Sequence, residues 1–269
     1  MAIKHICFDI GRVANIQLDK KRLSDHIDKQ WNGELSWDDL KKALHPYYEG
    51  RDIWREFQNG QISADTYLSA VLKTAKSKKF DTAGEHTNGM LASLGRISDP
   101  AFFNRGEITN SPPVNTLVEK ADFKDSSENK EKLGSTLKAW CGIPYQPMLD
   151  LVGRLNQAGY YTSVLSNNNE IMYYNQSSEI RNIVHLGLSS HLIGLSKPDG
   201  RAYQKLLWVT GAKAEETIFV DDKQRNIEAA ERLWIHGFRF RSEDLSMDEA
   251  FAELVYFLQM KGVKFPHNF

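Results

Sequence analysis

The sequence predicts an α/β protein: a doubly wound parallel sheet with an inserted helical cap domain. Three observations carry this expectation. The apolar run Ile3–Phe8 ends at Asp9, and Gly11 follows two residues later. From Gln17 to Lys76 the apolar spacing is helical, with no strand pattern of comparable strength. From Pro147 onward strand and helix patterns alternate to the end of the chain, which is how parallel sheets covered on both faces are built.

The elements follow in order. Ile3–Phe8 reads as a buried strand. In the helical segment, Leu18, Leu23, His26 and Ile27 share one face, and Trp37, Leu40 and Leu44 another. Asn59-Gly60 marks a turn, and Ser63 is placed to cap a helix beginning near Asp65. Trp31, Trp37, Tyr47, Tyr48, Trp54 and Phe57 supply a small aromatic core. Lys76–Lys79 reads as a solvated turn. Between Asn104 and Ser135 the chain is polar and holds few apolar residues, so it reads as a long loop, lid-like or partner-binding. Met148, Leu149, Val152 and Leu155 then form a helical stripe closed by Gly159. Strands are expected at Tyr160–Leu165, His185–Leu188, Thr217–Val220 and Phe238–Phe240. Helices are expected at Ser178–Val184, Ala202–Val209, Asn226–Trp234 and Met247–Met260. The first strand joins this sheet from across the insertion. The core is therefore expected to comprise residues 1–14 and 142–269, and the cap residues 15–141, including the polar insertion at about 104–135.

The composition narrows the function classes. The chain has 269 residues, enough for a full core plus a smaller unit. Its 34 basic and 35 acidic residues nearly cancel, which gives no argument for nucleic acid or an anionic membrane as partner. No apolar run approaches the ~20 residues of a membrane span, and the start lacks a secretion-signal pattern. Its 2 cysteines, Cys7 and Cys141, show no disulfide spacing, which points to a reducing, cytoplasmic setting.

Three expected strands end in polar clusters: Asp9, Ser166-Asn167, and Asp221-Asp222. In a parallel sheet these ends share one rim, where ligands bind. Lys197 adds a cation in a loop pinned by Pro198. Carboxylates facing Ser, Asn and Lys suit Mg²⁺ on one side and a phosphate on the other. Mg²⁺ takes a few carboxylates and keeps waters and substrate oxygens, and phosphate takes hydroxyl and amide donors plus a point charge.

With these residues in place, the chain resembles the haloacid dehalogenase (HAD) superfamily, whose four motifs occur in this order. They stand here as Phe8-Asp9-Ile10-Gly11-Arg12-Val13, Val164-Leu165-Ser166-Asn167, Lys197-Pro198-Asp199-Gly200-Arg201-Ala202-Tyr203, and Ile218-Phe219-Val220-Asp221-Asp222 followed by Asn226-Ile227-Glu228. The stretch Asn59–Val71 resembles the helical cap of sugar-phosphatase-like members. The resemblance implies a Rossmann-like core and an Mg²⁺-dependent phosphatase acting on a phosphate monoester, carried by a small phosphometabolite or a phosphorylated protein such as a phosphotyrosine protein. It implies that Asp9 is the nucleophile and forms an aspartyl-phosphate. Mg²⁺ would be held by Asp9, the Gly11 carbonyl and Asp222, with Asp221 ligating or orienting a water. Ser166 and the amides near Asn167 would hold phosphoryl oxygens, and Lys197 would neutralise charge.

One position departs from the pattern. Most phosphatases of the superfamily carry an Asp acid/base where this chain has Gly11. Losing a general acid typically lowers the rate ~10²–10⁴-fold, least where the leaving group is good. His26, His45 and His86 are possible replacements from the cap. Two other functions fit the residues less well. A metal-independent dehalogenase would leave paired acids repelling each other, and a catalytically weakened binding protein would not need Asp9, Ser166, Lys197 and Asp222 together.

Overall fold

A computed structural model describes residues 2–16, 20–32, 36, 40, 43–44, 47–48, 51–76, 127–175 and 178–265. Strand β1 (His5–Phe8) leads to the short β2 (Asn15–Ile16) and helix α1 (Lys20–Trp31). A hairpin of β3 (Tyr47–Tyr48) and β4 (Arg51–Asp52) precedes α2 (Ile53–Gln58), α3 (Ala64–Lys76) and α4 (Ser127–Trp140). The chain returns through β5 (Ile143–Pro144) to α5 (Gln146–Gln157), β6 (Tyr161–Ser166), α6 (Glu170–Asn175) and α7 (Ser178–Ile183). Then come β7 (Leu186–Ser189), α8 (Ser190–Ile193), α9 (Gly200–Thr210), β8 (Thr217–Asp221), α10 (Gln224–Glu231), β9 (His236–Arg239) and α11 (Met247–Met260).

The main sheet has the order β7-β6-β1-β8-β9, and every pairing in it is parallel. β1 is central, with Phe8 opposite both Val164 and Val220. That register brings the ends of β1, β6 and β8 to one rim. Side chains alternate along each strand. Ile6, Phe8, Val164, Ile218 and Val220 face one layer, with Met148 and Leu151 of α5 and Leu254 and Leu258 of α11. Cys7, Leu165 and Phe219 face the other, with Tyr203 and Leu206 of α9 and Ile227 of α10. The helix ends follow local chemistry. Pro147 opens α5, Asp199 caps α9 by accepting from the Arg201 N–H, and Ser246 and Glu249 form a capping box on α11.

The inserted helices bury their own cluster, including Trp31, Leu44, Phe57, Tyr67 and Val71. Tyr67 stacks on Phe57 at 4.4 Å and donates its hydroxyl to the Leu44 carbonyl at 2.9 Å. Ser63 caps α3 as expected, its Oγ accepting from the Thr66 N–H at 3.2 Å. One expectation fails here: from Ser127 the chain is helix, where the polar composition suggests loop through Ser135. Leu133 and Leu137, four residues apart, are fully buried in the insert's cluster. That apolar pair, with the Lys130–Asp65 ion pair to α3, supplies the tertiary support that most short helices require. Residues 104–126, Trp37, His45, His86, Lys79 and the side chains of Tyr47 and Tyr48 lie outside the described residues. β2 and β5 pair antiparallel where the insert leaves and rejoins the sheet. Among the described residues no helix is long and apolar enough to cross a membrane.

His5 lies inside β1 and is 1% exposed, with its ring between Ser163 Oγ at 2.7 Å and Thr217 Oγ1 at 3.3 Å. Burial pushes its pKa down to about 4. The unfolded chain therefore takes up a proton near pH 6.5 that the folded chain refuses until about pH 4. The stability is whole above pH 6.5 and is lost between those two values, by roughly 3 kcal/mol in all. Urea unfolding from pH 7.5 to 4 is expected to show this slope in the wild type and a flatter one in His5→Gln. Parallel curves would exclude the assignment.

Candidate active site

The site is built where β1 and β8 end. Asp9 follows β1 and is held in place by its N–H, which donates to the Val220 carbonyl at 2.8 Å. Lys197, almost fully buried, reaches between two carboxylates. Its Nζ lies 2.8 Å from Asp9 Oδ1 and 2.6 Å from Asp221 Oδ2, and 5.2 Å from the centre of the Phe219 ring. Burial alone would lower the lysine's pKa, but Asp221 and Asp9 outweigh it and hold the ammonium above the usual range. Burial raises Asp9, against the pull of Lys197.

Asp221 is fully occupied. It accepts from Lys197, from the Lys223 N–H at 2.9 Å, and from Asn226 Nδ2 at 2.9 and 3.0 Å. Asp222 is placed differently. It is buried, its Oδ1 has no hydrogen-bond partner, and burial followed by the charge of Asp9 pushes its pKa up to about 6. Ligand atoms of Asp9, Asp221 and Asp222 all lie within 4.8 Å of one another. Three buried carboxylates therefore share one buried ammonium. An orphaned acceptor in an excess of negative charge, with oxygen ligands only, suits a hard divalent cation.

Ser166, 4% exposed, ends β6 on the same rim. Asn167 follows, and its side chain is committed within the protein. Its Nδ2 donates to the Lys197 carbonyl and its Oδ1 accepts from the Lys197 N–H, both at 2.7 Å. The side chain fixes the lysine loop, which leaves only the backbone of Asn167 for a phosphate. Gly11 has ordinary backbone torsions, and a Cβ built there meets nothing within 4 Å. Tyr173 packs in a stack, 4.9 Å from the His191 ring with Arg181 4.5 Å over its face.

The insert sits on the same rim. Ser190 Oγ donates to the Gln58 carbonyl at 2.6 Å and accepts from the Asn168 N–H at 2.9 Å. Gly60, at φ +65°, lies so close to α8 that a Cβ would stand 2.3 Å from the His191 carbonyl. Beside this junction is a pocket of about 440 Å³ whose walls include Phe57, Ile62, Ser63, Glu170, His191 and Leu192. Sequence reasoning does not single out Asn226, Ser190 or Gln58. Only Asn226 leaves a signal: five residues past Asp221, it lies one turn into α10 and can reach back.

Removing the lysine charge strands two buried carboxylates. Lys197→Met is expected to destabilise the protein by about 3–5 kcal/mol at pH 7, and adding Asp221→Asn to recover part of that loss. Urea midpoints measure both effects, and a loss under about 1 kcal/mol would contradict this account of the pair.

Comparison with known proteins agrees with this architecture. Residues 109–238 match the profile of the haloacid dehalogenase-like hydrolases. A HAD family enzyme from Bacteroides thetaiotaomicron, solved with magnesium and inorganic phosphate, is 15% identical. The match covers 92% of this chain and 99% of that one, with a TM-score of 0.56. A HAD-like hydrolase from Porphyromonas gingivalis is 16% identical over 95% of this chain and 98% of that one, with a TM-score of 0.57. A dehalogenase is 16% identical over 95% and 97%, with a TM-score of 0.51. The chain therefore carries the haloacid dehalogenase-like hydrolase fold, a parallel α/β core with helical insertions.

Proposed function

We propose that the protein is an Mg²⁺-dependent phosphomonoesterase that uses Asp9 as nucleophile on a small phosphorylated metabolite. The observation that carries this reading is the three-carboxylate cluster with Lys197 inside it and an unpartnered Asp222 oxygen. The reading divides the chain into a core of residues 1–14 and 142–269 and a cap of 15–141. Asp9, Asp222 and the Gly11 carbonyl would hold the cation, which when bound offsets the charge between an anionic nucleophile and an anionic phosphate. Asp221, with its oxygens already filled, anchors Lys197.

The chemistry then runs on the chain's own groups. The Asp9 oxygen that Lys197 does not hold attacks phosphorus as the bond to the leaving oxygen breaks, giving an aspartyl-phosphate. Ser166 Oγ and the Asn167 amide bind non-bridging oxygens, and Lys197 neutralises charge on the carboxylate and the phosphoryl group. Water then attacks the acyl phosphate and restores Asp9. Gly11 offers no proton to the leaving group, so good leaving groups are favoured, such as an anomeric or aryl oxygen. The docking of the insert onto the rim through Ser190 and Gln58, which narrows access to Asp9, supports a metabolite over a phosphotyrosine protein.

The test is hydrolysis of para-nitrophenyl phosphate with and without Mg²⁺, beside Asp9→Ala, followed by sugar 1-phosphates, sugar 6-phosphates and phosphotyrosine peptides. Metal-dependent turnover abolished by Asp9→Ala is expected, with 1-phosphates ahead of 6-phosphates. Absence of turnover on the nitrophenyl ester would favour a binding protein, and preference for the peptides would reverse the substrate class. Because a side chain at position 11 meets open space, Gly11→Asp is expected to fold normally and to raise kcat on 6-phosphates about tenfold or more, with little gain on the nitrophenyl ester.

A further inference from the structure

The end of β9 and the loop that leads from it to α11 touch both halves of the proposed cation site from outside. Ser242 Oγ donates to the Arg12 carbonyl at 2.8 Å, and Arg12 in turn pairs with Glu243. Arg239 Nε donates to the Asp222 carbonyl at 3.3 Å, and its guanidinium lies 3.4 Å from Asp244. The loop itself is braced on a rigid element, through Arg241 paired with Glu253 of α11 and through the capping box at Ser246. The end of β9 and the loop after it thus grip the backbone beside Gly11 and the backbone of Asp222, two segments some 210 residues apart in sequence.

Arg12 shows what the grip controls. Its φ is +58°, in the left-handed region that residues other than glycine rarely adopt. The torsion φ of Arg12 joins the peptide that bears the Gly11 carbonyl to the peptide that bears the Arg12 carbonyl. With the second peptide tied to Ser242 and the side chain tied to Glu243, the left-handed torsion sets the direction of the Gly11 carbonyl. Arg239, at the end of β9 just before this loop, holds the Asp222 backbone.

We infer that Ser242 and Arg239 are positioning residues for the divalent cation, a two-point clamp that aims the Gly11 carbonyl and the Asp222 carboxylate at one ion. The inference rests on the reading of Asp9, Gly11 and Asp222 as the cation's ligands. Neither residue touches the ion or the substrate. Each acts through a backbone carbonyl next to a ligand, and groups in such positions typically change metal affinity 10–100-fold when removed.

The experiment is equilibrium binding of Mn²⁺, by electron paramagnetic resonance of the free ion, to the full chain without substrate. It uses wild type, Ser242→Ala, Ser242→Thr, Arg239→Met and Asp222→Asn, each with its unfolding midpoint. Ser242→Ala and Arg239→Met are each expected to raise the Kd about tenfold, and Ser242→Thr, which keeps the hydroxyl, to stay within about threefold of wild type. Activity assays should show the same rise in the Mg²⁺ requirement, with kcat at saturating Mg²⁺ nearly unchanged. An unchanged Kd in either Ser242→Ala or Arg239→Met overturns the clamp, whatever the unfolding midpoint does. So does a Ser242→Thr variant as weak as Ser242→Ala. If wild type binds no Mn²⁺, or Asp222→Asn binds it equally well, the cation reading itself fails and the clamp falls with it.

Discussion

The structure depends on one buried ammonium. Lys197 lies between Asp9 and Asp221 with almost no exposure, so each of the three charges needs the others. An ion taken out of water loses several kcal/mol of solvation, which only close, hydrogen-bonded partners offset. That condition reaches outward through the fold. The lysine's peptide is fixed by the two-point bond to Asn167 at the end of β6. Its partner Asp221 is fixed by Asn226 and by the Lys223 amide at the start of α10. Three adjacent strand ends and the loop before α9 are thereby tied to a single charge.

The pair leaves a remainder. With Asp9, Asp221 and Asp222 buried together and one lysine among them, the cluster is short of positive charge, and the rise of Asp222 to about 6 expresses that shortage. Asp221 cannot supply the missing interaction, because its acceptors are already used. Asp9 and Asp222 keep oxygens for something else. The division is chemically useful: one carboxylate holds the permanent cation, and the other two are kept at higher energy for a ligand. On the reading proposed above, a divalent cation would supply the missing positive charge.

Much of the fold was legible from the chain. The strand–helix alternation after Pro147 gave every main strand to within two residues, because the buried strands are apolar runs ended by polar rim residues. The last helix, Met247–Met260, is legible at its true bounds from its amphipathic spacing. Misreadings arose where tertiary contacts decide. Helix α4 looks like loop because Leu133 and Leu137 are the only buried apolar residues in a mostly polar stretch, and the helices they pack against are distant in sequence. For Asn167 the sequence points only to backbone amides at a phosphate and says nothing of the side chain. That side chain turns to the lysine loop, a contact across thirty residues that no local pattern encodes. The residues around Arg239 and Ser242 were invisible for the same reason: they act on carbonyls from the far end of the core.

Gly11 sharpens what the rim can do. A glycine is required where φ is positive or space is lacking. Neither holds at Gly11, and both demands fall elsewhere: on Arg12, which adopts the left-handed torsion, and on Gly60, which lies against the His191 carbonyl. The fold therefore does not impose the absence of an acid at position 11. On the proposed reading, the electrophilic side of the site is built densely, with a lysine, a hydroxyl, an amide and the proposed cation ligands disposed around phosphorus. On that reading, the side facing the departing oxygen has no proton donor at position 11. Such an asymmetric site gains rate by stabilising charge on the phosphoryl group, and it gains most when the departing oxygen already tolerates its own negative charge. Selectivity would then come from the chemistry of the leaving group as well as from the shape of the cap.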